Sequence, residues 1–95
     1  MSAIKRLIEQ IADEEEIRII CGNLNIAPVT KKKDGSITFI VSSVATSANF
    51  RYELNKHFPE TKYVDKIIGA GKKIRYTITT REMVIASNSL EEYYV

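Results

Sequence analysis

The stretch Val29-Thr-Lys-Lys-Lys-Asp-Gly-Ser-Ile-Thr-Phe39 decides the fold, because it predicts a β-hairpin. Segments typical of strands flank Asp34 and Gly35, and an Asp-Gly pair suits a type I′ turn, in which both central residues take positive φ. A two-residue turn at this pair would place residues 29–33 opposite residues 36–40. Three lysines therefore lie at the tip of the predicted hairpin.

The strand that follows the turn has an alternating pattern, which gives the hairpin one apolar face. Ile37, Phe39 and Val41 are spaced two apart, so their side chains point to the same side of the strand. Pro28 precedes the other strand and has no N–H to donate, which favours an edge position in the sheet. Other elements must cover the apolar face.

Outside the hairpin, the spacing of apolar residues predicts three helices and one further strand. The first helix is capped by Ser2, and the last is capped by Thr80 and ends near Leu90. The further strand covers residues 73–80. The central helix runs from Thr46 or Ser47 to Phe58, and its predicted buried stripe is Phe50, Leu54, His57 and Phe58. Residues 17–21 fit a strand, which their β-branched side chains favour, or a short helix that Asp13 caps. Residues 61–68 fit either a helix or one arm of a second hairpin.

This order of elements predicts one small α+β domain over residues 1–95, an antiparallel β-sheet of hairpins with two to three helices packed on one face. A chain of 95 residues is too short for two cores. No apolar run approaches the ~20 residues that span a bilayer, and the amino terminus lacks the pattern of a secretory signal. We therefore expect no membrane association and a cytoplasmic location.

Groups that could carry catalysis are few. Cys21 and His57 are the only thiol and the only imidazole, and each lies in an apolar run where packing is the commoner role. The glycines at 69 and 71 lack the spacing of a phosphate-binding loop. The consecutive carboxylates at 13–16 point in different directions on any regular element. We expect no enzyme activity, no cofactor and no metal site.

Charge is distributed unevenly along the chain. The formal net charge is only +2, but residues 31–81 carry eleven cationic and four acidic side chains. Segregation of this kind indicates a basic face, which attracts polyanions. The sequence therefore predicts a small nucleic-acid-binding protein, of a regulatory kind, that contacts phosphates through basic hairpin tips. The candidate contacts are Lys31, Lys32 and Lys33 at the first tip, Lys72, Lys73 and Arg75 at the second, and Arg51, Tyr52, Asn55 and Lys56 on the central helix.

Two other interpretations of the same features stay open. Lysines at turn tips also keep small proteins soluble and protect sheet edges from pairing. The alternative function is a protein–protein interaction module or inhibitor, which would use an exposed edge strand or the acidic, aromatic carboxyl-terminal tail, residues 91–95. Because small domains often cover an edge by self-association, we also expect a homodimer.

Overall fold

The computed structural model describes residues 7–71 and 73–87. Residues 7–9 are helical, and the elements that follow are α1 (Glu14–Asn23), β1 (Val29–Lys31), β2 (Ile37–Val41), α2 (Val44–His57), β3 (Lys62–Ile68), β4 (Lys73–Thr79) and α3 (Arg81–Ala86). The predicted α+β fold is confirmed. None of the helices in these ranges has both the length and the apolar character that a membrane crossing requires.

The four strands form one antiparallel sheet in the order β1-β2-β4-β3. Phe39 of β2 lies opposite Tyr76 of β4, and Asp65 of β3 lies opposite Tyr76 on its other side. Because residues directly opposite each other point to the same side, these three mark one face of the sheet. We call it the helix face, since its residues pack with those of α1 and α2 in the main core. The other side is the open face.

Three stacked or edge-on rings make the centre of this core. Phe39, Phe50 and Tyr76 are almost completely buried, and their ring centroids lie 4.8–5.5 Å apart. Phe50 comes from α2, so the rings join the helix to the two central strands. The alternation predicted for β2 is confirmed, because Ile37, Phe39 and Val41 are buried while Ile40 is exposed.

Residues 17–21 are helical, so the strand that their composition favours is wrong. Asp13 and Glu16 form a capping box at the start of α1, in which each side chain accepts from the other residue's backbone N–H. Ile17, Ile20 and Cys21 are then buried on one helical stripe. The cap and the 3.6-residue period outweigh the modest β preference of isoleucine.

The predicted hairpin is present, with β1 at a sheet edge, but its turn is longer than an Asp-Gly type I′ turn. Lys31 lies opposite Ile37, the Lys32 N–H donates to the Ser36 carbonyl, and the Gly35 N–H donates to the Lys32 carbonyl. Gly35 has φ +95°, whereas Asp34 does not have positive φ. A three-residue loop with one left-handed glycine therefore shifts the strand register by one residue from the predicted pairing.

The helix α2 begins earlier than predicted. Its cap is Ser43, whose hydroxyl accepts from the Thr46 N–H, and not Thr46 or Ser47. Phe50 and Leu54 are buried as predicted, and Ser47 is the third buried residue of the helix. His57 is exposed and Phe58 is half-buried, so the predicted stripe is wrong at His57.

The other predicted elements are the two later strands and the helices at the two ends of the chain. Residues 62–68 form strand β3, β4 matches its predicted strand, and Thr80 caps α3. The predicted Ser2 cap, and the end of the last helix near Leu90, lie outside the described residues.

Candidate nucleic-acid interface

The open face of β3 and β4 carries a cluster of cations. Lys66 lies directly opposite Arg75, and Lys73 lies opposite Ile68, two pairs closer to the turn between β3 and β4. The strand positions on this face are Thr30, Thr38, Ile40, Lys62, Val64, Lys66, Ile68, Lys73, Arg75, Thr77 and Thr79. None of these strand positions holds an acidic residue, whereas four of them hold a lysine or an arginine.

The pairing of Lys66 with Arg75 opposes folding, because like charges directly across an antiparallel pair repel each other. Within residues 7–71 and 73–87, no carboxylate forms an ion pair with Lys66, Lys73 or Arg75. A bound anion would remove this repulsion. The open face of these two strands therefore carries three cations that no described carboxylate neutralises.

The helix side of the molecule is different, because cations and carboxylates there neutralise each other. Glu14 contacts Arg18 at 3.0 Å and Lys31 at 3.3 Å, and these contacts, Arg18 first, lower the pKa of the Glu14 carboxyl. Arg81 contacts Glu16 at 2.8 Å and Asp13 at 3.6 Å. The acidic cluster at 13–16 thus caps α1 and holds cations of the same chain. The described residues contain no group of three acidic, histidine or cysteine side chains suited to a metal ion.

The structure does not bring the two predicted lysine clusters together. Ile37, at the end of the first tip, lies opposite Ile78, while Lys73 begins β4 at the other end of the sheet. Ile78 lies five residues beyond Lys73 in β4, a distance of about 17 Å at ~3.4 Å per residue. All three lysines of the first tip are exposed, but Lys31 lies on the helix face and contacts Glu14, whereas Lys32 and Lys33 form no ion pair with the described residues. Lys72 lies outside the described residues.

The predicted contacts on α2 lie on the helix side, away from Arg75. Nη1 of Arg51 donates to the Ser47 and Tyr76 hydroxyl groups, 3.0 Å from each, so this end of Arg51 secures α2 to the sheet. Tyr52 is exposed, and Nζ of Lys56 lies 5.8 Å from the centroid of its ring.

A groove of about 430 Å³ separates α2 from the edge strand β3. Arg51, Tyr52 and Asn55 of α2 line one side of it, and Tyr63 of β3 lines the other. Arg51, Tyr52 and Asn55 are candidate contacts that the sequence predicted, whereas Tyr63 is not.

Sequence reasoning missed Lys62, Tyr63 and Lys66, because residues 61–68 fitted two structures. Reading them as a strand would have placed Lys62 and Lys66 on one side and Tyr63 on the other by simple alternation. The sequence contains this alternation, but only the pairing with β4 distinguishes a strand from a helix at residues 61–68.

A second groove, of about 480 Å³, lies between α1 and α2, with Ile19, Ile20 and Leu24 among its walls. His57 borders it and contacts Glu53 at 3.4 Å. Cys21 is fully buried, and burial raises the pKa of its thiol to about 12. At neutral pH this thiol stays protonated and is therefore a poor nucleophile.

No protein-family model, curated protein or solved structure matches this chain.

Proposed function

We propose that the protein binds nucleic acid through the open face of β3 and β4. The observation that supports this most strongly is the juxtaposition of Lys66 and Arg75 beside Lys73, with no acidic residue among the open-face strand positions. The phosphate backbone is the polyanion that such a surface suits, because each phosphate contacted by Lys or Arg releases counterions. The guanidinium group of Arg75 can also bind a phosphate with two hydrogen bonds.

The chemistry of the open face favours binding that does not depend on sequence. Its strand positions hold threonine, isoleucine and valine between the cations, and none holds an aromatic ring. Phosphate contacts position a nucleic acid, whereas base contacts specify it. We therefore expect similar affinities for different sequences and a steep dependence on salt.

Lys32 and Lys33 extend this surface at the far end of the sheet. The distance of about 17 Å along β4 corresponds to about five phosphates of one strand, at ~3.4 Å per phosphate in a duplex. A nucleic acid lying along the sheet is thus long enough for both ends of the sheet to contact it. In this proposal Lys31 contributes less, since Glu14 already neutralises it.

A salt series with a charge-removing variant tests the proposal. Lys66→Gln, Lys73→Gln and Arg75→Gln, combined in one protein, should weaken binding to duplex DNA and to single strands of any sequence. The slope of log affinity against log salt should become shallower by about 2–3 units on the duplex, close to one unit per phosphate contact. Glu15→Gln, an exposed change in α1, should leave the slope unchanged. Equal slopes for the wild type and the triple variant would refute the proposal.

A protein partner at the outer edge of β3 is the second candidate function. Val64 is 69% exposed and Ile67 is 66% exposed on this seven-residue edge strand, and an extended peptide can add to such an edge by main-chain hydrogen bonds. Binding of a protein partner here is less favoured than nucleic-acid binding, because β3 carries charge on both faces, with Lys66 on the open face and Asp65 on the helix face. Charges of this kind protect edges from pairing.

The same charges disfavour a homodimer formed by pairing β3 with its copy. A twofold antiparallel pairing centred on Asp65 would bring two aspartates together, and one centred on Lys66 would bring two lysines together. The homodimer predicted from the sequence would therefore need another surface. Light scattering over a range of concentrations measures whether it forms.

A further inference from the structure

The groove between α2 and β3 has the features of a site for a flat, neutral group. It is about 430 Å³ in volume and combines the Tyr52 and Tyr63 side chains with Leu54 and Pro59. Tyrosine rings present flat faces on which a planar ring can stack. The volume is within the range of small-ligand clefts in proteins.

Two side chains in this groove have hydrogen-bonding groups to spare. Arg51 uses Nη1 for Ser47 and Tyr76, which fixes the guanidinium group in place. Its Nε and Nη2 atoms donate to no acceptor within the described part of the chain. The amide of Asn55 is exposed and has no partner among the same residues. Arginine donors together with an amide, which both donates and accepts, can bind the polar edge of a nucleobase.

The groove has one charged lining residue, Arg51, and a carboxylate nearby makes a phosphate a poorer occupant than an uncharged base. Asp65 lies on the helix face of β3, the same side as Tyr63, and it interacts electrostatically with Arg51. The carboxylate of Asp65 would repel a phosphate that entered beside it. On the opposite side of the same strand, Lys66 is exposed, and none of the open-face strand positions around it holds a carboxylate.

We propose that this groove binds one unpaired base of a single-stranded nucleic acid whose phosphates lie on the open face. Only the edge strand β3 separates the two surfaces, so a nucleotide can pass its base around the edge while its backbone stays with Lys66. A base that is paired within a duplex cannot reach the groove. This inference rests on the proposed nucleic-acid binding, and it adds a preference for single strands.

The test compares a labelled oligothymidylate with a duplex of the same length, both measured by fluorescence anisotropy at one salt concentration. Tyr52→Ala combined with Asn55→Ala should weaken binding to the single strand about tenfold, the loss expected for one stacked base. The loss on the duplex should be clearly smaller. Tyr52 and Asn55 are exposed, so the fold tolerates both changes. Asn49→Ala, the same substitution on α2 outside the groove, is the matched control and should retain wild-type affinity.

Each alternative result has a definite meaning. If the double variant retains wild-type affinity for the single strand, or loses equal affinity for both ligands, the base site is refuted while the phosphate surface stands. If the wild-type protein binds neither ligand at low salt, the proposed function fails and the base site fails with it.

Discussion

Removing the hydroxyl group of Tyr76 should destabilise the fold, because this group joins α2 to the centre of the sheet. Tyr76 is fully buried, and its hydroxyl lies 2.6 Å from Oγ of Ser47 and accepts from Nη1 of Arg51 at 3.0 Å. Tyr76→Phe keeps the ring and its contacts with Phe39 and Phe50 but loses both hydrogen bonds. The experiment therefore measures the polar link between helix and sheet with little change in packing.

The expected cost follows from which groups lose a partner. Ser47 and Arg51 still bond to each other at 3.0 Å after the change, so neither is left without a partner. A neutral hydrogen bond and one from the half-buried Arg51 then disappear together. Because water can replace part of the second bond, we expect the free energy of unfolding to fall by about 1–2 kcal/mol. For a chain of this size that lowers Tm by roughly 4–15 °C.

Urea denaturation followed by circular dichroism measures this change, with an unchanged m-value as the sign that both proteins unfold in the same way. Tyr63→Phe is the matched control. Tyr63 is 37% exposed, and its hydroxyl bonds to no group in the described ranges, so its loss should change stability by less than ~0.5 kcal/mol. Equal effects of the two substitutions would refute the structural role of the Tyr76 hydroxyl.

Two further predictions concern the first hairpin and the buried thiol. Gly35→Ala should lower the free energy of unfolding by about 1 kcal/mol, because Gly35 has φ +95° and a Cβ there would lie 3.1 Å from Cγ of Met83. Gly22→Ala, in open space on α1, should instead raise the free energy of unfolding by ~0.5–1 kcal/mol. Urea denaturation measures both changes. Cys21 should react with a thiol reagent only after urea unfolds the protein. Because the folded thiol has its pKa raised to about 12, stability should fall as pH rises above the unfolded value of ~8.5, and Cys21→Ala should remove that part of the pH dependence.

The fold could be predicted largely from local patterns. Alternation in β2 and β4, the loop at Gly35 and the Thr80 cap are features of short segments, and the structure confirms them. The strand favoured at residues 17–21 was wrong because composition was given more weight than the Asp13 cap. The extra loop residue in the hairpin depends on the φ angle of Asp34, which no residue pattern fixes.

The arrangement of the candidate site was harder to predict, because it depends on which strands pair. The sequence identified Lys73 and Arg75 but could not place them on the side of the sheet opposite to Lys31. Lys66 becomes their neighbour only through the register of β3 with β4. Arg51 was predicted to be a surface contact, whereas part of its guanidinium group bonds to the hydroxyl of a buried tyrosine.

Mapping the binding surface by NMR tests the central claim most directly. A single-stranded oligonucleotide is added to isotope-labelled protein at low salt, and the backbone amide signals are followed. The amides of Lys66, Lys73 and Arg75 should shift most, while those of Glu15 and Arg18 in α1 should stay in place. Shifts confined to α1, or no shifts in either region at low ionic strength, would contradict a nucleic-acid-binding open face.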